Sequence, residues 1–420
     1  MQLAIRGGTP TRNRDFTPWP VHDEKEIRAV TEVVESGKWW RSSFEENDDQ
    51  THAARFQNEF CAYQHAERGV VCTNGTAALE VALKALGVGP GDEVIVPSYT
   101  FVSTATAVLY VNAVPIFVDI DPNTYNIDPA RIEEAITDRT KVIIPVHFFG
   151  QPANMDEILR IAKKHDLKVL EDSSHAHGSE WRGQRVGALG DIGTFSFQNS
   201  KNMTAGEGGI ILTNNQELAD LCESYIWIGR EKGRPWYEFH RLGWNYRITE
   251  FQSAILRVQL ERLDEQIARR QENVAYFYER ITNEVDGLKP ITVLDQVTRH
   301  SWHIVSMRYD PKVWGVNKRA ALKAVNAEGV PTVGDYSFPL YKNPLFLNKA
   351  FNNNGCPVDC PRYKGPAINY ADFEKTNPVA EFACSDEAVW LEHRLFLGTR
   401  EDVDDIVNAF IKVQRNINEL

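Results

Sequence analysis

Long apolar runs are missing from this 420-residue chain, and no stretch approaches the length that would cross a bilayer. The opening residues, MQLAIRGGTPTRNRDF, lack an apolar core of signal-peptide length with a small-residue cleavage site behind it, so the expected location is the cytoplasm. Cysteine is scarce: Cys61, Cys72, Cys222, Cys356, Cys360 and Cys384 are scattered through a long chain rather than framing a short one, which fits reduced thiols. Cys356 and Cys360 read either as half a metal site or as a free loop pair, and no second ligand pair with zinc-like spacing accompanies them, so no metal is expected. Basic excess is absent as well. A formal charge of -12 argues against a nucleic-acid binder, which needs a basic stripe to neutralise phosphates. There is no internal repeat and no low-complexity tract.

What is present is a soluble composition, 42% hydrophobic and 25% charged, in a chain long enough for two or three units. From about residue 68 to 215 short apolar runs alternate with helical patterns, the signature of strand–helix repeats around a mostly parallel sheet. The expected strands are EVIVP (93 to 97), AVPIFVD (113 to 119), KVIIPVHFF (141 to 149), KVLED (168 to 172), GTFSF (193 to 197) and GGIILTN (208 to 214). Between them TAALEVALKALG, PARIEEAI and MDEILRIAKKH space apolar residues three and four apart, as helices covering a sheet do. A long helix is expected over 250 to 281, with Leu256, Leu260, Leu263, Ile267, Val274, Phe277 and Ile281 on one stripe. The expected fold class is α/β: a large domain over residues 1 to 265 and a smaller α+β domain over 266 to 420. The latter is interrupted by an Asn-, Pro- and Gly-rich excursion from 341 to 377.

Three segments carry chemistry. In TNGTAALEVALKALG the turn at Thr73, Asn74, Gly75 and Thr76 opens a helix; unpaired N–H groups and the dipole make it either an anion cradle or an ordinary N-cap. KVLEDSSHAHGSEW delivers Asp172 at the carboxyl end of a strand, where α/β sheets bind ligands, with His175 and His177 close behind. The alternative is a capping Asp172 beside two surface histidines. TFSFQNSKNMTAGEGGIILTN sets Lys201 between a strand and a glycine-rich turn; alone it reads as a solvated lysine, but a rigid, partly desolvated lysine there is a nucleophile. Together, the three supply the separate parts of one pyridoxal-phosphate (PLP) site.

With TNGTAAL, DEVIVPSYTFVSTATA, PVHFFGQPANMDEI, VLEDSSHAHGS, GDIGTFSFQNSKNMTAGEGGIILTN and GWNYRITEFQSAI in place, the chain resembles the DegT/DnrJ/StrS sugar aminotransferases, fold-type I PLP enzymes, over nearly its whole length. The resemblance implies that Lys201 carries the cofactor as a Schiff base and that Asp172 partners its pyridine nitrogen. It sets His175 near the phenolic oxygen, Phe101 on the ring face, and Gly75, Thr76 and Ser196 on the phosphate. It implies that Asn245 reaches the phosphate of the neighbouring subunit, and hence a homodimer with shared active sites. Glutamine or glutamate is the implied donor and a keto-sugar or keto-cyclitol the implied acceptor. Trp39, Trp40 and Arg41 in GKWWRS (37 to 42) stand either near the acceptor or at a surface or dimer contact. Rival readings are a 3-amino-5-hydroxybenzoate synthase-like activity in the same fold and a noncatalytic regulator on the same scaffold. A PLP-dependent sugar dehydratase would replace the lysine by histidine, and this chain has Lys201.

Overall fold

Continuous apolar runs such as EVIVP form strands buried on both faces, which is where a parallel sheet places them. The computed structural model describes residues 2–41, 50–333, 336–351 and 356–420. Its main sheet has seven strands: β1 (Arg68–Cys72), β2 (Glu93–Pro97), β3 (Val114–Val118), β4 (Thr140–Ile143), β5 (Lys168–Asp172), β6 (Ile192–Ser196) and β7 (Gly209–Thr213), in spatial order β1-β7-β6-β5-β4-β2-β3. Only β7 runs against its neighbours; the pairs from β6 through β5, β4 and β2 to β3 are parallel. Helices precede and connect the strands. They include α1 (Glu24–Ser36), α2 (His52–Gln64), α3 (Gly75–Ala85), α4 (Ser103–Tyr110), α5 (Pro129–Ala135), α6 (Met155–Lys164) and α7 (Gln216–Ile226). In α6 the spacing read from sequence buries Ile158, Ile161 and Ala162, and acidic residues lead while lysines close the helix, as its dipole favours.

One expected strand is shorter than its apolar run. KVIIPVHFF is regular strand only through Ile143; beyond it Pro145 has no N–H to donate, a single bridge of Val146 to Asp172 continues the pairing, and Phe149 turns to φ 62° within a short turn over Phe148–Gly150. The turn sets His147 against Glu171 and Phe148 against His175.

The long helix α8 (Glu250–Glu284) has 35 residues and spans about 50 Å at 1.5 Å per residue. Its Leu256, Leu263 and Ile267 enter a core with Phe56, Phe60 and Phe195, whereas Val274, Phe277 and Ile281 enter a second core built on the smaller sheet. That sheet is antiparallel, with β8 (Leu288–Pro290), β9 (Ile304–Tyr309), β10 (Thr332–Val333) and β11 (Ala388–Glu392) in the order β8-β9-β11-β10. It packs under α9 (Lys318–Ala327) and α10 (Arg400–Arg415). The boundary expected at 265/266 thus falls inside a continuous helix. Leu3 and Phe16 pack in the second core, and Glu328 ties down the N-terminal segment by accepting from the N–H groups of Ala4 and Thr11 at 2.8 and 2.9 Å.

The excursion from 341 to 377, of which 352 to 355 lie outside the described residues, packs on the large sheet rather than on the small one from which it emerges. Phe117 on the edge strand β3 meets Tyr341, Phe346, Tyr370 and Phe373 with ring centroids 5.1–6.0 Å apart. Tyr363 donates to Glu93 at 2.7 Å. Aromatic cover of this kind keeps an edge strand from pairing with another chain.

Candidate active site

The carboxyl ends of β5 and β6 and the amino ends of α3 and α4 meet at a cleft of about 990 Å³, closed on its far side by His303, Ile304, Tyr336 and Trp390 from the small-sheet half. Gly75, Thr76, Phe101, Asp172, His175, Ser196 and Lys201 all line it. Gly75 and Lys201, 126 positions apart in the chain, are brought together in this way. Asn245 does not line it; it is exposed on the loop that follows α7, where it bridges to Trp227.

Asp172 and its neighbour Glu171 show how the strand sorts two adjacent carboxylates. Side chains alternate across a strand, so the two face opposite ways. Glu171 is buried and fully engaged: Gly187, Leu189 and Gly190 donate their N–H groups to it at 2.7–2.8 Å, and His147 Nε2 lies 2.8 Å from Oε2. Ala153 donates to His147 Nδ1 at 3.0 Å, so Nε2 carries the hydrogen and donates to Glu171. Asp172 faces the cleft. Thr104 donates to its Oδ2 at 2.9 Å and Ser174 N–H to its Oδ1 at 3.2 Å, while Thr100 supports Thr104 at 3.0 Å. These bonds hold the carboxylate in one orientation.

Lys201 follows β6 in a turn closed by its own N–H on Gln198 O at 2.9 Å. It is half-buried, and it lines the cleft. Desolvation lowers its ammonium from 10.5 to about 8, against the opposing pull of Asp172. In cofactor-free protein, condensation of Lys201 with a small aldehyde, trapped by borohydride and read by peptide mass spectrometry, is expected to rise through an apparent pKa of about 8. A midpoint near the ordinary 10.5 rejects the desolvated amine. The folded value lies below the unfolded one, so the folded chain holds fewer protons between about 8 and 10.5. Stability therefore rises with pH across that window, and the cost of the enclosed charge is fully present below it.

A phosphate-sized cradle lies at the other end. Asn74 caps α3 by accepting from Ala77 N–H at 2.8 Å, so the N-cap reading holds, and it leaves the first-turn N–H groups of α3 toward the cleft. Gly75 is required there because a Cβ would sit 2.6 Å from that of Ser196. Thr76 and Ser103 hydroxyls lie 2.7 Å apart, so the amino ends of α3 and α4 converge. Phe101 is 58% exposed, which removes ordinary core packing as its explanation and leaves a bare aromatic face on the cleft.

The histidines are not surface groups. His175 is enclosed, and desolvation first and Lys201 second hold its imidazole well below the usual range. His177 is pushed down to about 3 by the same two causes, and its Nε2 meets Ser196 O at 3.0 Å. Trp39, Trp40 and Arg41 line none of this cleft. Trp39 packs on Phe251 and Trp40 on Trp227, while Arg41 pairs with Glu223 at 3.1 Å beside a second, smaller cleft; Ser42 lies outside the described residues. Among the described residues, no group of three or more His, Cys, Asp or Glu side chains is placed to hold a metal.

Sequence reasoning missed Thr104, His303, Tyr336 and Trp390. Thr104 stood inside SYTFVSTATA, three positions after Phe101 and one helix turn from Thr100, and that spacing was its only signal. The other three come from the small-sheet half and carried none.

Comparison with known proteins fits this geometry. The DegT/DnrJ/EryC1/StrS aminotransferase family model matches residues 20–360. The chain belongs to that family. Within it, a Streptoalloteichus tenebrarius protein provisionally named L-glutamine:3-amino-2,3-dideoxy-scyllo-inosose aminotransferase is 44% identical, over 100% of this chain and 99% of its own. The 3-amino-5-hydroxybenzoate synthase of Amycolatopsis mediterranei is 37% identical over 91% of this chain and 93% of its own. The crystal structure of a 3-amino-5-hydroxybenzoic acid synthase superposes with a TM-score of 0.85 at 33% identity, covering 96% of this chain and 100% of that one. This DegT/DnrJ/EryC1/StrS protein is a PLP-dependent aminotransferase of fold type I.

Proposed function

We propose that this aminotransferase moves the amino group of glutamine, or of glutamate, to a keto-cyclitol or keto-sugar in the making of an aminocyclitol or amino sugar. The observation that carries the reading is the opposition of Lys201 and Asp172 across one cleft, with the Gly75 cradle beside them. The donor and acceptor are supported by relatives named for glutamine and scyllo-inosose substrates. The cleft agrees: Lys201 is the only lysine or arginine among the described residues that line it, while Thr, Ser, Gln and Tyr side chains are many. Away from the Gly75 cradle, such a lining suits a neutral polyol as acceptor better than an anionic one.

When bound, PLP supplies a carbonyl that takes up the amino group and a ring that withdraws electrons. The residues present fit it. Gly75, Thr76 and Ser196 would hold the phosphate, Phe101 would lie on the ring face, His175 would meet the phenolic oxygen, and Asp172 would hold a proton at the ring nitrogen. Lys201 Nζ, low enough in pKa to be partly neutral near pH 8, takes the proton from the donor's α-carbon and gives it back on completing the transfer. Trp390, Tyr336 and Ile304 cover the cleft and exclude water from that exchange.

The homodimer belongs to the same proposal. Asn245 does not line its own cleft and is exposed on a loop that also exposes Tyr237 (83%) and Leu242 (89%), which favours a second copy as its cover. A cytoplasmic location is also proposed; among the described residues, no helix is long and apolar enough to cross a membrane.

The test is a panel of keto-cyclitols and nucleotide keto-sugars, offered to enzyme first converted with glutamine or glutamate and read by the return of the original cofactor absorbance. Turnover with at least one keto-cyclitol or keto-sugar is expected. Inability of any amino donor to convert the cofactor sinks the transaminase reading and favours the regulator. A second reading, a 3-amino-5-hydroxybenzoate synthase-like dehydration, is favoured by the structural match to that enzyme. It would appear as release of an aromatic product rather than an aminated cyclitol or sugar.

A further inference from the structure

One polar group opens on the cleft from the small-sheet half and has no part in the account above. His303, immediately before β9, is 6% exposed and lines the cleft with Lys201. Its ring lies against that of His175 with centroids 4.2 Å apart, and its N–H is held by Phe149 O at 2.8 Å. Its Nδ1 lies 3.1 Å from Oδ1 of Asn202, the chain neighbour of Lys201. Asn202 is itself buried, and its Nδ2 donates to Ser301 O at 2.8 Å.

That second bond assigns the hydrogens. With the amide nitrogen committed to a carbonyl, the amide oxygen faces the imidazole, so His303 Nδ1 carries a hydrogen and donates it. Burial, with His175 and Lys201 adding repulsion, keeps the ring from taking a second proton. Nε2 is therefore a bare lone pair. Among the described residues nothing bonds to it, and it is not among the side-chain atoms sealed without a partner, so it opens on the cleft that His303 lines. A buried network that satisfies one ring nitrogen and leaves the other facing a cleft is completed by a ligand.

We infer that His303 Nε2 accepts a hydrogen bond from a ring hydroxyl of the polyhydroxylated amino acceptor, and that Asn202 is the positioning residue that fixes the tautomer able to do so. The inference rests on the acceptor class proposed above. A neutral lone pair attracts an O–H and repels the oxygens of a carboxylate or phosphate, so this position selects for a hydroxyl. Because Asn202 adjoins Lys201, the same short segment sets both the reacting amine and the group that orients the acceptor before it.

The experiment uses full-length enzyme with its cofactor. His303→Phe keeps an aromatic ring against His175 and removes the lone pair; His303→Gln restores an acceptor oxygen; Asn202→Leu leaves His303 but frees its tautomer. Four quantities are measured: the rate of cofactor conversion by the amino donor, KM and kcat for the keto-polyol the wild type accepts, and calorimetric affinity for the unreactive polyol scyllo-inositol. In the Phe variant, polyol affinity is expected to fall, and KM to rise, by about tenfold, with donor conversion within about threefold of wild type. The Gln variant regains part of the loss, and Asn202→Leu falls between. Should the Phe variant fail to fold, Asn202→Leu carries the same comparison. Unchanged polyol affinity overturns the inference, as does a parallel loss of donor conversion, which would place His303 on the cofactor or the lysine instead. Wild-type enzyme that neither binds nor aminates any polyol sinks the acceptor class itself, a result read before any variant is made.

Discussion

Lys201→Ala is expected to lower kcat/KM for transamination by about 10⁴-fold or more, about 5.4 kcal/mol in transition-state terms, with the fold intact. The effect is large because one amine has two duties, as the nucleophile that tethers the cofactor and as the base that moves the donor's proton. The fold should survive because the substitution removes an enclosed charge whose pKa is lowered to about 8 by desolvation, not a packing group. Borohydride treatment of wild type should label the peptide containing Lys201, and the variant should lack that label. If the variant still forms a reducible adduct on that segment, or retains more than a hundredth of the activity, another amine does the work.

Asp172→Asn is expected to reduce the rate of cofactor conversion by glutamine by about 10³-fold, about 4 kcal/mol, while leaving cofactor affinity within an order of magnitude. Asparagine can keep the Ser174 N–H contact through its carbonyl oxygen and donate from its amide nitrogen to the Thr104 hydroxyl, which then accepts, so the geometry is retained. What it loses is the negative charge that keeps a proton on the ring nitrogen. A rapid-mixing measurement of the donor half-reaction isolates this step from acceptor binding. If the variant loses cofactor altogether or unfolds, Asp172 anchors rather than activates. A loss below tenfold would mean that the ring nitrogen is not its partner.

The two carboxylates at the end of β5 show how far the sequence alone could be followed. KVLED is apolar, ends in acids, and precedes small polar residues, so a strand delivering a carboxylate to a cleft was legible. That Asp172 faces the cleft while Glu171 is consumed by three backbone N–H groups and His147 depends on residues 147 and 187–190, which no local pattern connects to position 171. The histidines behave alike. HAH read equally as surface or site, and only the packing of Phe148, His303 and the turn carrying Lys201 around them made them enclosed and neutral.

The small-sheet half was the least legible. SWHIVSMRYD contains β9, but its His303 gained meaning only when Asn202, 101 positions earlier, was folded against it. The excursion rich in Asn and Pro offered composition without direction. Its aromatic residues cover this edge because β3 presents Phe117 and the adjacent β2 presents Glu93 there, a destination set by the sheet and not by the excursion.

By itself the sequence determined the alternation of strands and helices, the long α8 stripe, and the short motifs that bring a lysine, an acid and a glycine turn to strand and helix ends. Those are local properties, read within a period of two or of 3.6 residues. Only the tertiary structure decided which side of each strand faces the cleft, which polar groups are already spent on structure, and which, like His303 Nε2, remain open. These depend on desolvation and on partners far away in the chain, and neither exists until the two halves close on one another.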